Sequence, residues 1–435
     1  MKTFIKKLTP KFALGWYHWC LAKFGAFIYR HPSRQLIVIG VTGTKGKSTT
    51  VNLIAKLLSG AGHKVGLVST INFQVADEEW ANTTKQTMPG RFRLQELLSQ
   101  MVKAGCRYAI VETSSEGIAQ HRQIGIDYDL AVFTNLTPEH IESHGSFEKY
   151  RQAKMRLFES LYRSERKVIN GQPVKKVIIA NHDDQSAEYF LACAADYKYT
   201  YGLALPGAIL NSDQQVVARE VASTSTGITF YIDSLKFHLK LLGEFNAYNA
   251  LAAVCVGFSQ GLDINVMKRC LEKVSGLPGR MEEIQNTKGI RIFVDYAHEP
   301  ASLEAVYKTL RSFNPGKIIS VLGSQGGGRD KAKRPILGQL AANYTDLVIV
   351  TNEDPYDEDP EKIIDDVING ATAAQSRPPV EKIIDRREAI KTALALAEKG
   401  DILIITGKGS ETVMAVADDK KILWDDRKVV RELLK

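Results

Sequence analysis

The sequence predicts an α/β protein with two domains, each built on a mostly parallel sheet. Three observations carry that prediction. Apolar, β-branched runs alternate with segments of helical spacing from residue 35 to about 275, and a second such series fills residues 290 to 406. Between the two series lies Leu277-Pro278-Gly279-Arg280, a turn-forming junction. A glycine-rich segment, Gly40 to Thr50, joins the first apolar run to the first long helical pattern. The boundaries follow: a basic and aromatic N-terminal segment at 1–34, a central domain at 35–277 and a C-terminal domain at 278–435.

Residues 1–34 place Lys2, Lys6, Lys7 and Lys11 ahead of Phe12, Leu14, Trp16, Tyr17, Trp19, Leu21, Phe24, Phe27, Ile28 and Tyr29. His18 and Lys23 break the apolar run, which makes it a poor membrane span, and no small-residue cleavage pattern follows. Basic residues beside Trp and Tyr fit a helix lying on a membrane surface. A terminal helix packed on the protein's own core fits equally well. Both readings stay open, and with them a peripheral membrane contact through residues 1–30.

In the central domain, strands are expected at Gln35–Val41, Lys64–Thr70, Arg107–Glu112, Asp129–Thr134 and Lys176–Ala180. Helices are expected at Lys47–Ala61, Leu94–Ala104, Glu148–Tyr162 and Ala247–Gly261, and alternation over 224–242 reads as a β-hairpin. In the C-terminal domain the expected strands are Ile290–Val294, Lys317–Leu322, Asp346–Thr351 and Asp401–Thr406. Helices at Ala301–Phe313, Arg334–Asn343, Pro360–Ala374 and Arg387–Lys399 complete a Rossmann-like unit.

Within the first strand-to-helix turn stand Gly43, Thr44, Lys45, Gly46, Lys47, Ser48 and Thr49. Backbone N–H groups at a helix start suit polyphosphate, Lys47 can reach the β- and γ-phosphates, and Ser48 or Thr49 can hold Mg2+. The spacing departs from the usual phosphate loop: Val41 stands five before Gly46, with glycines at 40 and 43. The loop predicts ATP binding by a P-loop parallel-sheet domain.

Composition narrows the partners. The net charge is +8 and the sequence pI about 9.0, which suits anionic ligands such as nucleotides, acidic peptides or a membrane surface. No long basic block interleaves with stacking aromatics, so nucleic acid is not implied. Five scattered cysteines without a Cys-x-x-Cys pair argue against a disulfide framework or structural zinc, and for a reducing cytoplasm.

Two further segments carry polar residues where strands end. Glu112, in Glu112-Thr113-Ser114-Ser115, closes an apolar strand opposite the phosphate loop, where a carboxylate either binds Mg2+ or helps cap a helix. Thr134-Asn135-Leu136-Thr137-Pro138-Glu139-His140 runs on to His144-Gly145; its two histidines fall short of a zinc ligand set.

Taken together, Gly43-Thr44-Lys45-Gly46-Lys47-Ser48, Glu112-Thr113-Ser114-Ser115, Thr134-Asn135-Leu136 with His140, and Tyr150-Arg151-Gln152-Ala153-Lys154 resemble the Mur ligases. So do Gly243-Glu244-Phe245-Asn246-Ala247-Tyr248-Asn249, Pro278-Gly279-Arg280-Met281-Glu282, Asp295-Tyr296-Ala297-His298-Glu299-Pro300, Gly327-Gly328-Arg329-Asp330-Lys331 and Gly407-Lys408-Gly409. The resemblance runs from about residue 36 to the C-terminus, and is nearest to the ligases that add the third residue of the peptidoglycan stem peptide. It implies ATP and Mg2+ as cofactors, an amino acid and a muramoyl-peptide as substrates, and an acyl-phosphate intermediate. It implies catalytic or metal roles for Lys47, Ser48, Glu112, His140 and a carbamylated Lys154, and nucleotide contacts for Asn249, Arg280, His298 and Lys331. Substrate contacts are implied for Gln86, Thr87, Ser115, Gln120, Arg122, Arg329, Asp354, Tyr356, Gly407 and Glu411.

The chain also departs from the family. Met88 stands where a second threonine is usual, Ser410 where a histidine is, and only 39 residues precede Gly40, where the family carries a uridine-diphosphate-binding domain. Glu353-Asp354-Pro355-Tyr356 replaces Asp-Asn-Pro-Arg, so Tyr356 takes the place of an arginine that clamps the far carboxylate of diaminopimelate. With Glu353, Asp354, Asp357 and Glu358 making the stretch acidic, the sequence predicts lysine or another basic amino acid as the incoming residue. Rival readings are a ligase acting on a lipid-linked or other non-UDP acceptor, and an inactive ATP-binding scaffold. The motifs name neither the acceptor's carrier nor an oligomeric state.

Overall fold

The structure is a computed structural model that describes residues 11–137, 144–203, 212–328 and 330–435, with side chains from residue 15 onward. It divides into two compact units: Met1–Val221 with Phe230–Phe237 and Phe245–Val274, and Ala222–Thr229 with His238–Glu244 and Ser275–Lys435.

The first unit opens with helix α1 (Lys11–Ile28) and a 3-10 turn at Pro32–Gln35, so the first strand starts two residues later than expected. In chain order follow β1 (Ile37–Thr42), α2 (Lys47–Gly60), β2 (Val65–Val68), β3 (Asn72–Val75), β4 (Glu78–Ala81), α3 (Arg91–Lys103), β5 (Tyr108–Glu112) and α4 (Ser115–Ala119). Then come β6 (Leu130–Phe133), α5 (Phe147–Arg163), the small hairpin β7 (Val168–Ile169) and β8 (Gln172–Pro173), β9 (Val177–Asn181) and α6 (Ala187–Leu191). The chain continues through β10 (Tyr197–Gly202), β11 (Gln214–Thr224), β12 (Gly227–Ile232), β13 (Leu235–Leu239), α7 (Phe245–Ser259) and α8 (Ile264–Glu272).

One sheet runs in the order β13-β12-β11-β10-β9-β6-β1-β5-β2-β3-β4. β1 lies at its centre, parallel to β5 on one side and β6 on the other, and all six of its residues are buried. Burial on both faces is why it reads as an unbroken apolar run. The chain fills one side of β1 with β2 and β5, then crosses to β6 and β9. Strand order therefore reverses at β1, and a crevice at the carboxyl ends of such strands is where open parallel sheets bind ligands. At the other end of the sheet, buried Asp129 accepts from Lys167 at 2.5 Å, Lys176 at 2.9 Å and the Val38 backbone N–H.

The second unit carries a six-stranded sheet. Its strands are β14 (Glu282–Ile284), β15 (Arg291–Val294), β16 (Ile318–Leu322), β17 (Leu347–Val350), β18 (Val380–Lys382) and β19 (Ile402–Ile405), in the order β14-β15-β19-β16-β17-β18. Only β14 runs antiparallel to its neighbour. Helices α9 (Pro300–Arg311), α10 (Lys333–Tyr344), α11 (Pro360–Thr372) and α12 (Arg386–Leu396) alternate with the strands; the ribbon β20 (Val413–Ala415) and β21 (Lys421–Leu423) and helix α13 (Asp426–Leu433) close the chain. Two separate apolar layers flank this sheet, one around Phe293, Tyr307 and Leu337 and one around Ile292, Ile390 and Val430. That is the arrangement a doubly covered parallel sheet requires.

Candidate active site

The turn between β1 and α2 is fixed by residues that follow β6. Thr44 N–H donates to the Asn135 carbonyl at 2.8 Å and Lys45 N–H to Asn135 Oδ1 at 2.8 Å, while Thr134 Oγ1 donates back to the Lys45 carbonyl at 2.7 Å. The loop's shape is thus held by Thr134 and Asn135. Lys47 Nζ folds onto the loop, 2.8 Å from the Thr44 carbonyl. Gly46 begins the helix at φ 79°, and a Cβ there would stand 2.4 Å from Asn249 Oδ1. Asn249, on α7, is held by Thr50 Oγ1 at 3.1 Å and by its own bond to Asn246 at 2.9 Å. Sequence separation of some 200 residues hides this contact between two expected nucleotide-site residues.

Glu112 ends β5 almost fully buried and accepts from Ser48 Oγ at 3.0 Å, Thr70 N–H at 2.7 Å and Thr70 Oγ1 at 3.0 Å. Its partners are the phosphate-loop serine and the end of β2, so its role is not that of a helix cap; Ser114, not Glu112, caps α4. Buried Lys154, on α5, donates to the Gly43 carbonyl at 2.7 Å and lies 4.4 Å from the Tyr150 ring centre. Tyr150 OH in turn meets Thr44 Oγ1 at 3.0 Å. His144 Nε2 stands 3.2 Å from Ser115 Oγ, and burial, then the Lys154 cation, lower its pKa. His140 lies outside the described residues. Among the described residues no three His, Cys, Asp or Glu side chains gather as a metal site. The hydroxyl and carboxylate of Ser48 and Glu112 are hard oxygen donors of the kind Mg2+ takes alongside nucleotide phosphates.

Three of the expected substrate residues meet. Arg122 Nη1 donates to Gln86 Oε1 at 2.8 Å, and its Nη2 to Gln120 Oε1 at 2.8 Å; Arg91 donates to the Gln120 carbonyl. Thr87 Oγ1 lies 2.9 Å from Thr70 Oγ1, one hydroxyl away from Glu112. Met88 resolves simply: its carbonyl accepts from Arg122, and its side chain is buried beside Gly117. The departure from threonine leaves that backbone contact intact.

In the second unit the Arg280 guanidinium stacks over Tyr296, 4.4 Å from the ring centre, and His298 Nδ1 lies 2.7 Å from the Tyr296 carbonyl. Lys331 pairs with Glu358 at 3.2 Å. Asp354 is joined to Lys408 at 2.9 Å, and Lys408 to Glu411 at 2.6 Å, all buried or nearly so. Burial opposes the Lys408 cation, but Glu411 and Asp354 together hold its pKa above the ordinary value. Gly407, at φ 102°, is pressed against Glu353: a Cβ would come within 2.2 Å of the carboxylate. Tyr356 packs its ring on Gly327. Arg329 lies outside the described residues.

The acidic run from 353 to 358 is therefore not an open negative surface. Asp354 is neutralised by Lys408, and Glu358 by Arg334 at 2.9 Å and by Lys331. Asp357 accepts from Asp418 N–H at 3.0 Å. Glu353 is fully buried, and burial, then the Asp354 charge, raise its pKa, which favours the neutral acid. The attraction for a cationic side chain that the sequence suggested is thereby weakened, Asp357 being the one of these four acids that is exposed. Residues to which the sequence reading gave no role include Thr70, Tyr150, Tyr296 and Lys408. Lys408 had a visible signal, standing between Gly407 and Gly409; Thr70 had none beyond its place at a strand end.

Comparison with known proteins agrees with this geometry. The chain matches the Mur ligase middle domain over residues 41–257 and the Mur ligase, glutamate ligase domain over residues 279–409. It is 36% identical to a UDP-N-acetylmuramoyl-L-alanyl-D-glutamate--2,6-diaminopimelate ligase of Bacillus cereus, over 95% of this chain and 81% of that protein. It is 37% identical to a UDP-N-acetylmuramyl-tripeptide synthetase of a Roseiflexus species, over the same shares. A solved diaminopimelate ligase superposes with a TM-score of 0.60 at 33% identity, covering 92% of this chain and 78% of that one. Mycobacterium tuberculosis folylpolyglutamate synthase complexed with ADP shares the fold, with a TM-score of 0.67 at 16% identity over 89% and 91% of the two chains. The chain belongs to the Mur ligase family and is an ATP-dependent, ADP-forming ligase that makes a C–N bond.

Proposed function

We propose that this chain joins an amino acid to the terminal carboxylate of a muramoyl-L-Ala-D-Glu type precursor, by way of an acyl phosphate. The observation that carries the reading is the junction of Ser48, Glu112 and Thr70 at the carboxyl ends of β1, β5 and β2, beside the phosphate loop. A carboxylate oxygen of the acceptor attacks the γ-phosphorus, the bond to the bridging oxygen breaks, and ADP leaves. The amine of the incoming residue then attacks the acyl carbon, phosphate departs with one former carboxylate oxygen, and the amine gives up its proton.

In this scheme residues 35–277 bind ATP and the acceptor, and residues 278–435 bind the incoming amino acid. Lys47 swings from the Thr44 carbonyl to the β- and γ-phosphates, where its charge opposes the negative charge that builds up. Ser48 would hold Mg2+ at the phosphates, and Glu112 and His140, with a carbamylated Lys154, a second metal position; bound Mg2+ supplies charge neutralisation at the phosphates. Carbamylation would turn the buried Lys154 cation into an anion at the edge of the loop. Gln86, Thr87, Ser115, Gln120 and Arg122 would hold the acceptor. Asn249, Arg280, His298 and Lys331 would hold the nucleotide, and Arg329, Asp354, Tyr356, Gly407 and Glu411 the amino acid. The reaction would take place in the cytoplasm, where ATP is supplied.

The incoming residue is read as lysine or ornithine. With the acidic run largely paired internally, that reading rests on Tyr356, whose phenol lacks the planar fork of donors that grips a second carboxylate. The name of the Bacillus cereus relative points the other way, to 2,6-diaminopimelate. Purified protein given ATP, Mg2+, a muramoyl dipeptide and equal amounts of lysine and meso-diaminopimelate decides between them. A product mass carrying lysine is expected; one carrying diaminopimelate refutes the Tyr356 argument, and no amide product at all refutes the ligase reading.

A further inference from the structure

Helix α1 is packed inside out. Its inward face is made of Gly15, His18, Ala22, Gly25 and Ala26, with Gly25 against Phe92 of α3 and Ala26 against Gly125. Its largest side chains point to solvent: Trp16 and Phe27 are each 71% exposed, Phe24 56%, Tyr17 55%, Ile28 50% and Trp19 43%. At 100° per residue these six fall on one continuous arc of about half the helix circumference. A soluble helix that only packs on its own core buries its large apolar residues and exposes its small ones. Here one face packs on the core, while the other, apart from the Phe24 ring edge against Phe92, turns to solvent.

We propose that the exposed face of α1 docks on the surface of an anionic lipid bilayer. Three observations select this occupant. The first is residue type: Trp16, Tyr17 and Trp19 are amphipathic rings of the kind that settle at headgroup level. The second is charge. Among residues 1–34, Lys2, Lys6, Lys7, Lys11, Lys23, Arg30 and Arg34 are basic, and the first acidic residue of the whole chain is Asp77. The third is the position of Lys23 in the middle of the aromatic arc, its Nζ 5.9 Å from the Trp19 ring centre. Between two copies of this face the lysines would meet as like charges; against a headgroup layer the long side chain extends to an anion while its stem covers apolar surface. No described helix is long and apolar enough to cross a membrane, so the contact is with the surface.

Docking would also place one part of the site at the lipid. Gly25 of α1 faces the Arg91 backbone carbonyl and Gly15 the His121 ring, and Arg91 donates to the carbonyl of Gln120. If the Gln86, Gln120 and Arg122 cluster holds the acceptor, as proposed above, a lipid-linked acceptor would be presented where this helix sits.

The test is co-sedimentation of the full chain with phosphatidylglycerol-containing and pure phosphatidylcholine vesicles at low and high salt, without ATP or acceptor. It stays informative whatever the ligase reaction proves to be. Binding is expected to the anionic vesicles only and to weaken with salt. The Trp16→Ser, Trp19→Ser, Phe27→Ser triple variant should abolish it, and Lys23→Glu should reduce it about tenfold or more, as two charge units are changed near the surface. Because these side chains are exposed, thermal melting should stay within a few degrees of the parent. Absence of binding to anionic vesicles overturns the proposal, as does equal binding by the triple variant. Concentration-dependent dimerisation that the triple variant removes, with no vesicle binding, would also overturn it and make the face a contact between copies.

Discussion

Replacing Gly46 by alanine tests the phosphate loop at its tightest point. One methyl group is added at φ 79°, with its carbon 2.4 Å from Asn249 Oδ1. The left-handed backbone alone costs an alanine about 1–2 kcal/mol. Relieving the collision means moving the Asn249 side chain, which is 6% exposed and bonded to Thr50 Oγ1 and Asn246 Oδ1. Each bond is worth about 0.5–1.5 kcal/mol, and Thr50, wholly buried, would be left without its acceptor. The sum is about 2–5 kcal/mol. Urea denaturation of Gly46→Ala, Asn249→Ala and the double variant measures it as a cycle. In the Asn249→Ala background the collision is gone, so the cost of Gly46→Ala should fall to the backbone share of about 1–2 kcal/mol. An equal cost in both backgrounds would refute the contact between α7 and the loop.

Three other outcomes follow from the same geometry. Glu112→Gln presents an amide where Ser48 and Thr70 donate, and should cut Mg2+-supported turnover about 10–100-fold and raise the half-saturating Mg2+ with little change in melting temperature; an unchanged Mg2+ dependence would remove Glu112 from the metal site. Lys408→Met leaves Asp354 and Glu411 buried without their cation and should cost about 3–5 kcal/mol by denaturant titration, whereas a loss under 1 kcal/mol would mean that the triad is relieved by water. Glu353 has a raised folded pKa, so below its ordinary value of 4.5 both states hold the proton and nothing is lost. As pH rises the unfolded chain ionises first and stability falls, until the folded pKa is passed. Glu353→Gln should accordingly melt close to the parent near pH 4 and gain on it toward pH 7 and above; a constant gap across that range would place the Glu353 charge in a compensated site.

Much of this molecule was legible because its signals are local. Strand β1 is an uninterrupted apolar run, Gly43 to Ser48 is a contiguous loop, and Glu112 ends a strand. The misreadings concern partners distant in the chain. Glu353 to Glu358 read as an acidic stretch that attracts a cation, since Lys408 lies 54 residues beyond Asp354, and Arg334 24 before Glu358. Glu353 could not be seen to be buried, because nothing in its own segment covers it; Gly407 does. The antiparallel extension of β3 and β4 went unseen, since Glu78-Glu79-Trp80-Ala81 is short and polar and pairs only as an edge. In α1 both faces are apolar, so periodicity alone could not say which one is buried.

The central claim is that ATP is spent by phosphorylating a carboxylate. The direct measurement is to supply a muramoyl dipeptide whose reacting carboxylate carries oxygen-18, with ATP, Mg2+ and the amino acid, and to weigh the released nucleotide and phosphate. The account predicts ADP, unlabelled, and one labelled oxygen in the phosphate for each amide formed. Label appearing in AMP, or amide forming with unlabelled phosphate, would contradict it.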